Sequence, residues 1–248
     1  MIPLDRLVLG TVKFGLGRYG YGSTSCPSAA ESIAILRHAW RRGVRAYDTA
    51  LGYGDAFYLL AEAGIPGRYI VSKCRLPLAP TVMANSHDRS WLIHNPTAAE
   101  MLAGLIPAQH GVSVYTIEEI ATAYRLNIAP IQAPASCLNP DPGPVTFGRA
   151  PFLQGVLLRP AYLAPEPLRE AVSAFQLLCL GKPFTPLELA LHAAYGERIV
   201  FGVSSIGQLE DVLLAAERDV SPLAIAEARE LAATVDATAA LPSLWSKP

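Results

Sequence analysis

Short apolar runs alternate along the chain with segments in which apolar residues recur at helical spacing. Runs of this length are typical of strands, and the amphipathic segments between them predict helices. Alternation of strand and helix favours a parallel sheet, because each parallel crossover needs a helix or a long connection. The predicted strands are Leu7–Thr11, Val44–Asp48, Tyr69–Lys73, Trp91–His94, Val112–Tyr115, Pro130–Ala133, Val145–Arg149 and Ile199–Val203.

Capping and stop signals predict where the helices lie. Ser28 and Glu31 fit a capping box, apolar residues follow at helical spacing, and Gly43 ends that helix. Further helices are predicted over Asp55–Ala63, Ile117–Arg125, Glu166–Leu180, Gln208–Glu217 and Pro222–Thr234.

Two connections between strands are too thin for a full helix. Between Lys73 and Trp91 the only helix candidate lies near Val82–Asp88, and the proline-rich segment Asn139–Pro144 cannot be helical. Eight strands, with no G-x-G-x-x-G after the first, favour a closed barrel over an open doubly wound sheet. At 248 residues the chain also has the usual length of one such barrel. We therefore predict an α/β fold, a single (β/α)8 TIM barrel over residues 1–248, with one or two outer helices shortened or missing.

Composition narrows the choice of partners. Hydrophobic residues make up 51% of the chain and the net charge is −1, with no basic stripe, so neither nucleic acid nor an anionic membrane is expected as a partner. No apolar run approaches the roughly 18 residues of a membrane span, and no secretory signal is evident at the N-terminus. The four cysteines form no C-x-x-C pair, which predicts reduced thiols in a cytoplasmic protein without a metal site.

Four polar residues end or closely follow predicted strands or lie in the loop after one. They are Asp48, Tyr53, Lys73 and His94. A (β/α)8 barrel keeps its chemistry at the C-terminal ends of its strands, so we expect these side chains to meet there. A carboxylate, a phenol, an ammonium and an imidazole together form a proton-transfer site.

Five sequence fragments, in order along the chain, resemble motifs of the aldo-keto reductase family. Leu9–Gly15 (LGTVKFG) resembles its opening strand, and the segment from Asp48 to Gly54 resembles its signature. Three more resemble motifs of a bacterial branch and the family's phosphate loop: Gly111–Thr116 (GVSVYT), Arg149–Gly155 (RAPFLQG) and the segment from Gly202 to Leu209. The resemblance covers nearly the whole chain and implies NAD(P)H-dependent reduction of a small aldehyde or ketone to an alcohol.

The resemblance implies a role for each of the four residues. Tyr53 would donate the proton to the carbonyl oxygen, and Lys73 would lower the pKa of that phenol. Asp48 would anchor Lys73 by an ion pair, and His94 would orient the substrate carbonyl.

The same resemblance implies which residues contact the cofactor, NADPH or NADH. Ser113 and Gln132 would bind the nicotinamide carboxamide, and Arg149 would stack on the nicotinamide ring. The remaining predicted contacts are Thr11, Val12 and Lys13 near the nicotinamide, Phe152, Leu153, Gln154 and Gly155 along the pyrophosphate, and Gly202, Val203, Ser204, Ser205, Gln208 and Asp211 around the adenosine end.

Several positions depart from the family pattern. Gln208 stands where the basic partner of a 2′-phosphate is usual, so a preference for NADPH over NADH is not predicted. The tail Leu241–Pro248 is too short for the long substrate-closing loop of larger relatives, which suggests an open pocket or one closed by a partner subunit. The candidate pocket aromatics are Trp91, Trp245 and the pair Tyr19 and Tyr21.

Two other function classes stay open on the sequence. The same residues could serve a non-redox lyase, isomerase or cyclase, in keeping with a specialised biosynthetic role. A non-catalytic binding or regulatory subunit is the third hypothesis, although the intact set of four polar residues argues against it. The oligomeric state is expected to be monomer or homodimer.

Overall fold

The protein, described here from a computed structural model that covers residues 1–17, 19–21, 26–76 and 90–245, is a closed barrel of eight parallel strands. The strands follow one another around the barrel in chain order, and β8 pairs with β1. This confirms the predicted (β/α)8 barrel. The strands are β1 (Leu7–Gly10), β2 (Tyr47–Asp48), β3 (Ile70–Cys74), β4 (Ser90–His94), β5 (Gly111–Ser113), β6 (Ile131–Pro134), β7 (Phe147–Arg149) and β8 (Arg198–Gly202).

Helices surround the barrel and bury their apolar faces against it. The described helices are α1 (Val12–Gly15), α2 (Ala29–Arg41), α3 (Ala56–Glu62), α4 (Ala98–Leu102), α5 (Ile117–Arg125), α6 (Arg169–Leu177), α7 (Pro186–His192), α8 (Ile206–Glu217) and α9 (Pro222–Glu230). Each helix prediction that falls within the described residues is confirmed in place, with shifted ends. The candidate near Val82–Asp88 lies outside the described residues.

Three short helices, α1, α4 and α7, were not predicted from the sequence. Two of them carry the signal that located α2, a threonine or serine followed three residues later by glutamate. Thr97 with Glu100 and Thr185 with Glu188 form complete capping boxes, like Ser28 with Glu31. With seven residues or fewer, these helices are too short for periodicity to reveal them.

One outer helix is absent, as the prolines in the segment Asn139–Pro144 predicted. The connection between β6 and β7 contains no helix, and the fold uses side-chain hydrogen bonds there instead. Asn139 accepts hydrogen bonds from the backbone N–H and the hydroxyl of Ser136 and donates one to the carbonyl of Ala240. The loop is thereby tied to the C-terminal segment.

The barrel interior is closed below the strand ends by one apolar layer. Its members come from five strands and the residue before β2: Val8, Ala46, Val71, Leu92, Phe147 and Val200. Side chains two residues apart along a strand point to the same face of the sheet. The residue two positions after each member of this apolar layer therefore belongs to the next layer, nearer the C-terminal ends of the strands. That next layer lies at the C-terminal face of the barrel, where enzymes with a (β/α)8 barrel carry their active sites.

No helix among the described residues is long and apolar enough to cross a membrane.

Candidate active site

The layer above the apolar floor is polar. Two residues beyond Ala46, Val71, Leu92 and Phe147 stand the side chains of Asp48, Lys73, His94 and Arg149. The corresponding positions on β1 and β8 are Gly10 and Gly202. Side chains that can carry charge therefore project into the barrel mouth from β2, β3, β4 and β7. The glycines of β1 and β8 leave space beside them.

A buried ion pair lies at the centre of the polar layer. The Nζ of Lys73 is 2.5 Å from Oδ1 and 2.6 Å from Oδ2 of Asp48, and the two residues are 1% and 5% exposed. Burial lowers the pKa of Lys73, and the Asp48 carboxylate opposes that shift. The geometry agrees with the predicted anchoring of Lys73 by Asp48.

A chain of hydrogen bonds extends the ion pair across the barrel. The Nε2 of Gln132 donates to Oδ1 of Asp48 at 2.7 Å, and the hydroxyl of Ser113 donates to Oε1 of Gln132 at 3.0 Å. Thr11 holds the backbone of Asp48, since its N–H and its hydroxyl both donate to the Asp48 carbonyl. Thr11, Ser113 and Gln132 are therefore engaged in fixing Asp48 and do not line the cavity described below.

Tyr53 reaches the site from the loop between β2 and α3, and glycines position that loop. A Cβ on Gly15 of α1 would collide with the carbonyl oxygen of Tyr53, and one on Gly54 would collide with Gly15. Gly54 also has a φ of 53°, in the left-handed region that favours glycine. The loop can thus pack directly on α1, which sets the position of the Tyr53 ring.

The Tyr53 ring lies against both the lysine and the histidine. Lys73 Nζ is 5.1 Å from the ring centroid, and the His94 ring meets it edge to face with centroids 6.0 Å apart. The four predicted site residues are therefore brought together at the barrel mouth.

The electrostatics of Tyr53 depart from the expectation that Lys73 lowers its pKa. Burial, and after it the negative charge of Asp48, raise the pKa of Tyr53 well above its ordinary value. Lys73 is not among the charges that shift this pKa. The cation that does lower the pKa of Tyr53 is Arg149.

A cavity of about 340 Å³ runs from Tyr53 and Asp48 across the open side of the barrel mouth to the start of α8. Of the residues predicted to contact a cofactor, its lining includes Val12, Lys13, Arg149, Phe152, Gln154, Gly155, Gly202, Val203, Ser204, Gln208 and Asp211. A Cβ added to Gly155 or Gly202 would meet no atom within 4 Å, so both glycines leave open space beside the cavity.

Leu153 and Ser205 lie away from this cavity. Leu153 is fully buried in the core, and its N–H donates to the carbonyl of Ala150. The N–H of Gly155 likewise donates to the carbonyl of Phe152. The backbone N–H groups of Leu153 and Gly155, predicted to face a pyrophosphate, are therefore already used within their own loop.

At the far end of the cavity lies the N-terminus of α8. The hydroxyl of Ser205 caps the helix by accepting from the N–H of Gln208, and the side chain of Gln208 folds back to accept from the N–H of Ser204. The helix has twelve residues, so its N-terminal end favours an anion in front of it.

No protein-family model matches the sequence, and a search of curated proteins finds no match. Solved structures do match. Aldo-keto reductase AKR11C1 from Bacillus halodurans, in its holo form, superposes with a TM-score of 0.68 over 94% of this chain and 92% of that chain. The chain has the fold of an aldo-keto reductase. Sequence identity to that protein is 16%, so the likeness concerns the fold.

One residue that the sequence did not assign to the site stands out within this aldo-keto reductase fold. Arg159 lines the cavity beside Lys13, and its charge, after burial, lowers the pKa of Lys13. Its Nη1 donates to the carbonyl of Tyr21. Only its position five residues beyond Gln154, in the same loop, could have indicated it from the sequence.

Tyr19 is the one predicted pocket aromatic that lines the cavity. Burial raises the pKa of its phenol, while the charge of Arg149 lowers it. The others serve packing: Tyr21 and Trp245 stack edge to face at 5.3 Å, and Trp91 lies buried in the core around β4 and β5.

We expect removal of one partner of the buried ion pair to destabilise the protein strongly. Lys73→Met and Asp48→Asn should each lower the free energy of unfolding in urea by about 3–5 kcal/mol, because each leaves a buried charge without its partner. The double variant should lose less than the sum of the two. Arg218→Met, which breaks the exposed contact to Glu188, is the control and should cost less than about 1 kcal/mol. Losses below 1 kcal/mol for both single variants would contradict a buried charged pair.

We expect the imidazole of His94 to stay neutral at physiological pH. Burial, followed by the charges of Lys73, Arg149 and Arg75, lowers the pKa of His94 to about 3. The pKa of the folded state lies below the unfolded value of about 6.5, so the stability linked to His94 is present above about pH 6.5 and is lost as the pH falls toward 3. NMR of the ring protons should show no titration between pH 8 and about pH 5. A midpoint near 6.5 would show that the ring is solvated.

Proposed function

We propose that this chain is an NAD(P)H-dependent reductase that converts the aldehyde or ketone of a small molecule to an alcohol. One observation carries the proposal. Tyr53, held by the buried Asp48–Lys73 pair, lines the same cavity that leads to the N-terminus of α8. A proton donor and a groove that ends at an anion-favouring helix terminus are what such a reductase requires.

The cavity residues fit a nicotinamide dinucleotide. Gly155 and Gly202 keep the cavity floor open, where any side chain would project. Lys13 and Arg159 offer two cations for the pyrophosphate, and the N-terminus of α8 faces the adenosine end. When bound, the nicotinamide would supply a hydride to the carbonyl carbon.

Ser113 and Gln132 would contact the carboxamide only by giving up hydrogen bonds. Their side chains are about 1% exposed and already bond to each other and to Asp48. We therefore propose that they first hold Asp48, and that any contact with the cofactor uses the hydrogen-bonding capacity that remains.

The chain itself handles the proton. With its pKa raised by burial and by Asp48, Tyr53 keeps its hydroxyl proton at neutral pH. Charge that develops on the carbonyl oxygen makes that oxygen basic enough to take the proton, and the positive charge of Arg149 favours the phenolate left behind. Neutral His94, edge-on to Tyr53, can donate one hydrogen bond to the same oxygen and orient it. No observation on the described residues favours the non-redox alternative.

The decisive measurement is a titration with NADH and NADPH that follows nicotinamide fluorescence, combined with the variant Tyr53→Phe. The variant should bind the cofactor as the wild type does and lower turnover by about 10²–10⁴-fold, because only the proton donor is lost. Tyr58→Phe is the matched control, since Tyr58 is 72% exposed on α3.

Two outcomes would overturn this assignment. If no cofactor binds at millimolar concentration, the reductase hypothesis is wrong. The non-redox enzyme and the non-catalytic subunit would then be the remaining hypotheses. Near wild-type turnover in Tyr53→Phe would show that another group donates the proton. The cytoplasmic location and the monomeric or dimeric state stay predictions.

We expect the wild type to bind NADH at least as tightly as NADPH. At the adenosine end the cavity presents Gln208 and the carboxylate of Asp211, which would repel a 2′-phosphate and can accept from a ribose 2′-hydroxyl. Gln208→Arg should shift the ratio of dissociation constants toward NADPH on the order of tenfold, the value of one charge-assisted hydrogen bond. Gln208→Met, which removes the amide without adding charge, should leave the ratio unchanged. A wild type that binds NADPH tenfold more tightly would contradict this.

A further inference from the structure

The charges around His94 do not balance. Lys73 is ion-paired with Asp48, but two further cations, Arg149 and Arg75, act on His94, and neither forms an ion pair within the described part of the chain. Glu100 lines a cavity together with Arg75, but its carboxylate accepts from the N–H and hydroxyl of Thr97 in a capping box. Among the described residues, the end of the site around His94 therefore carries positive charge that no carboxylate pairs with.

Arg149 is held in place with most of its donors unused. The Cζ of its guanidinium lies over the ring of Tyr115, 4.0 Å from the centroid, and its Nη2 donates to the carbonyl of Val114. A guanidinium has five N–H donors, and no other described protein group accepts from Arg149. The side chain is half-buried and borders the large cavity near Tyr53. Arg149 is thus a cation held in a fixed position, with N–H donors that no described protein group uses.

Arg75 lies on the other side of His94. It directly follows β3, and with His94 and Asn95 it lines a second cavity of about 250 Å³. Arg75 is exposed, so solvent screens its charge more than that of Arg149. We expect it to contribute less.

The cations proposed to hold the pyrophosphate form a different group. Arg159 lowers the pKa of Lys13, and neither cation is among the charges that shift the pKa of Tyr53 or His94. The positive charge at Arg149 and Arg75 is therefore left for a second anion, beside the carbonyl that Tyr53 protonates.

We propose that the substrate carries an anionic group, a carboxylate or a phosphate, in addition to its reacting carbonyl, with Arg149 as the principal ligand and Arg75 as a second. This rests on the proposed reductase function and names its substrate class. A guanidinium binds either anion through two parallel hydrogen bonds, and the stacking on Tyr115 removes much of the cost of ordering it. The same field would repel cationic substrates.

The test compares carbonyl substrates that differ only in charge. Wild-type kcat/KM should be about 10- to 100-fold higher for 4-carboxybenzaldehyde than for 4-carbamoylbenzaldehyde, as one charge-assisted contact implies. In Arg149→Gln this ratio should fall to within about threefold of unity, and in Arg75→Gln it should fall by a smaller factor. Because both aldehydes are measured on the same cofactor-saturated variant, any effect on cofactor binding cancels.

Two further variants separate charge from structure. Arg149→Lys keeps the positive charge but cannot form the two parallel hydrogen bonds of a guanidinium. It should therefore retain part of the preference for the acid over the amide. Arg37→Gln is the matched control, because Arg37 is exposed on α2 and lines neither cavity, and it should leave the ratio as in the wild type. The preference for glyceraldehyde 3-phosphate over glyceraldehyde, set against the preference for the acid over the amide, then shows which anion the site favours.

A binding measurement keeps this inference separate from the reductase proposal. Calorimetry with 4-carboxybenzyl alcohol and 4-carbamoylbenzyl alcohol needs no turnover. Preference for the acid that depends on Arg149, without reduction of any aldehyde, would overturn the reductase and support the anion site. Equal turnover and equal binding of the acid and the amide would overturn the anion site and leave the reductase standing.

Discussion

The ion pair between Asp48 and Lys73 is the interaction on which the site depends. Two opposite charges that are almost fully removed from water are stable only when each satisfies the other and neighbouring groups satisfy the rest. Gln132 donates to the carboxylate and is itself held by Ser113, and Thr11 fixes the backbone carbonyl of Asp48. Residues of β2, β3, β5 and β6, and Thr11 just after β1, are thereby joined in one hydrogen-bonded network at the barrel mouth, where chemistry is proposed.

That pair also sets the electrostatics of its neighbours. The phenol of Tyr53 keeps its proton because burial and the neighbouring Asp48 carboxylate raise its pKa. The remaining influence comes from Arg149, which the fold places on the same interior layer two residues above Phe147. The Asp48–Lys73 pair and the Arg149 cation therefore follow from the strand period of the barrel, which stacks a polar layer on an apolar one, whereas Tyr53, the proposed proton donor, is placed by the loop after β2.

The positive charges divide into two groups with different surroundings. Lys13 and Arg159 lie along the long cavity, where a dinucleotide's pyrophosphate would fit. Arg149 and Arg75 flank His94 at the reacting end. Cations at both places suit a pyrophosphate and a negatively charged substrate. Gln208 and Asp211 at the adenosine end suit a ribose without a 2′-phosphate.

The sequence by itself determined the alternation of strands and helices, the missing helix at the prolines after β6, and the four polar residues at the barrel mouth. These follow from local rules: apolar runs, capping residues, and the placement of chemistry at strand ends. Short helices such as α4 were missed because periodicity needs length, although Thr97 and Glu100 carried a cap signal. Only the tertiary structure decided that Gln132 bonds to Asp48 and Ser113 to Gln132, that Leu153 is buried, and that two arginines near His94 form no ion pair among the described residues. Those outcomes depend on burial and on distances between residues far apart in the chain, which no local pattern encodes.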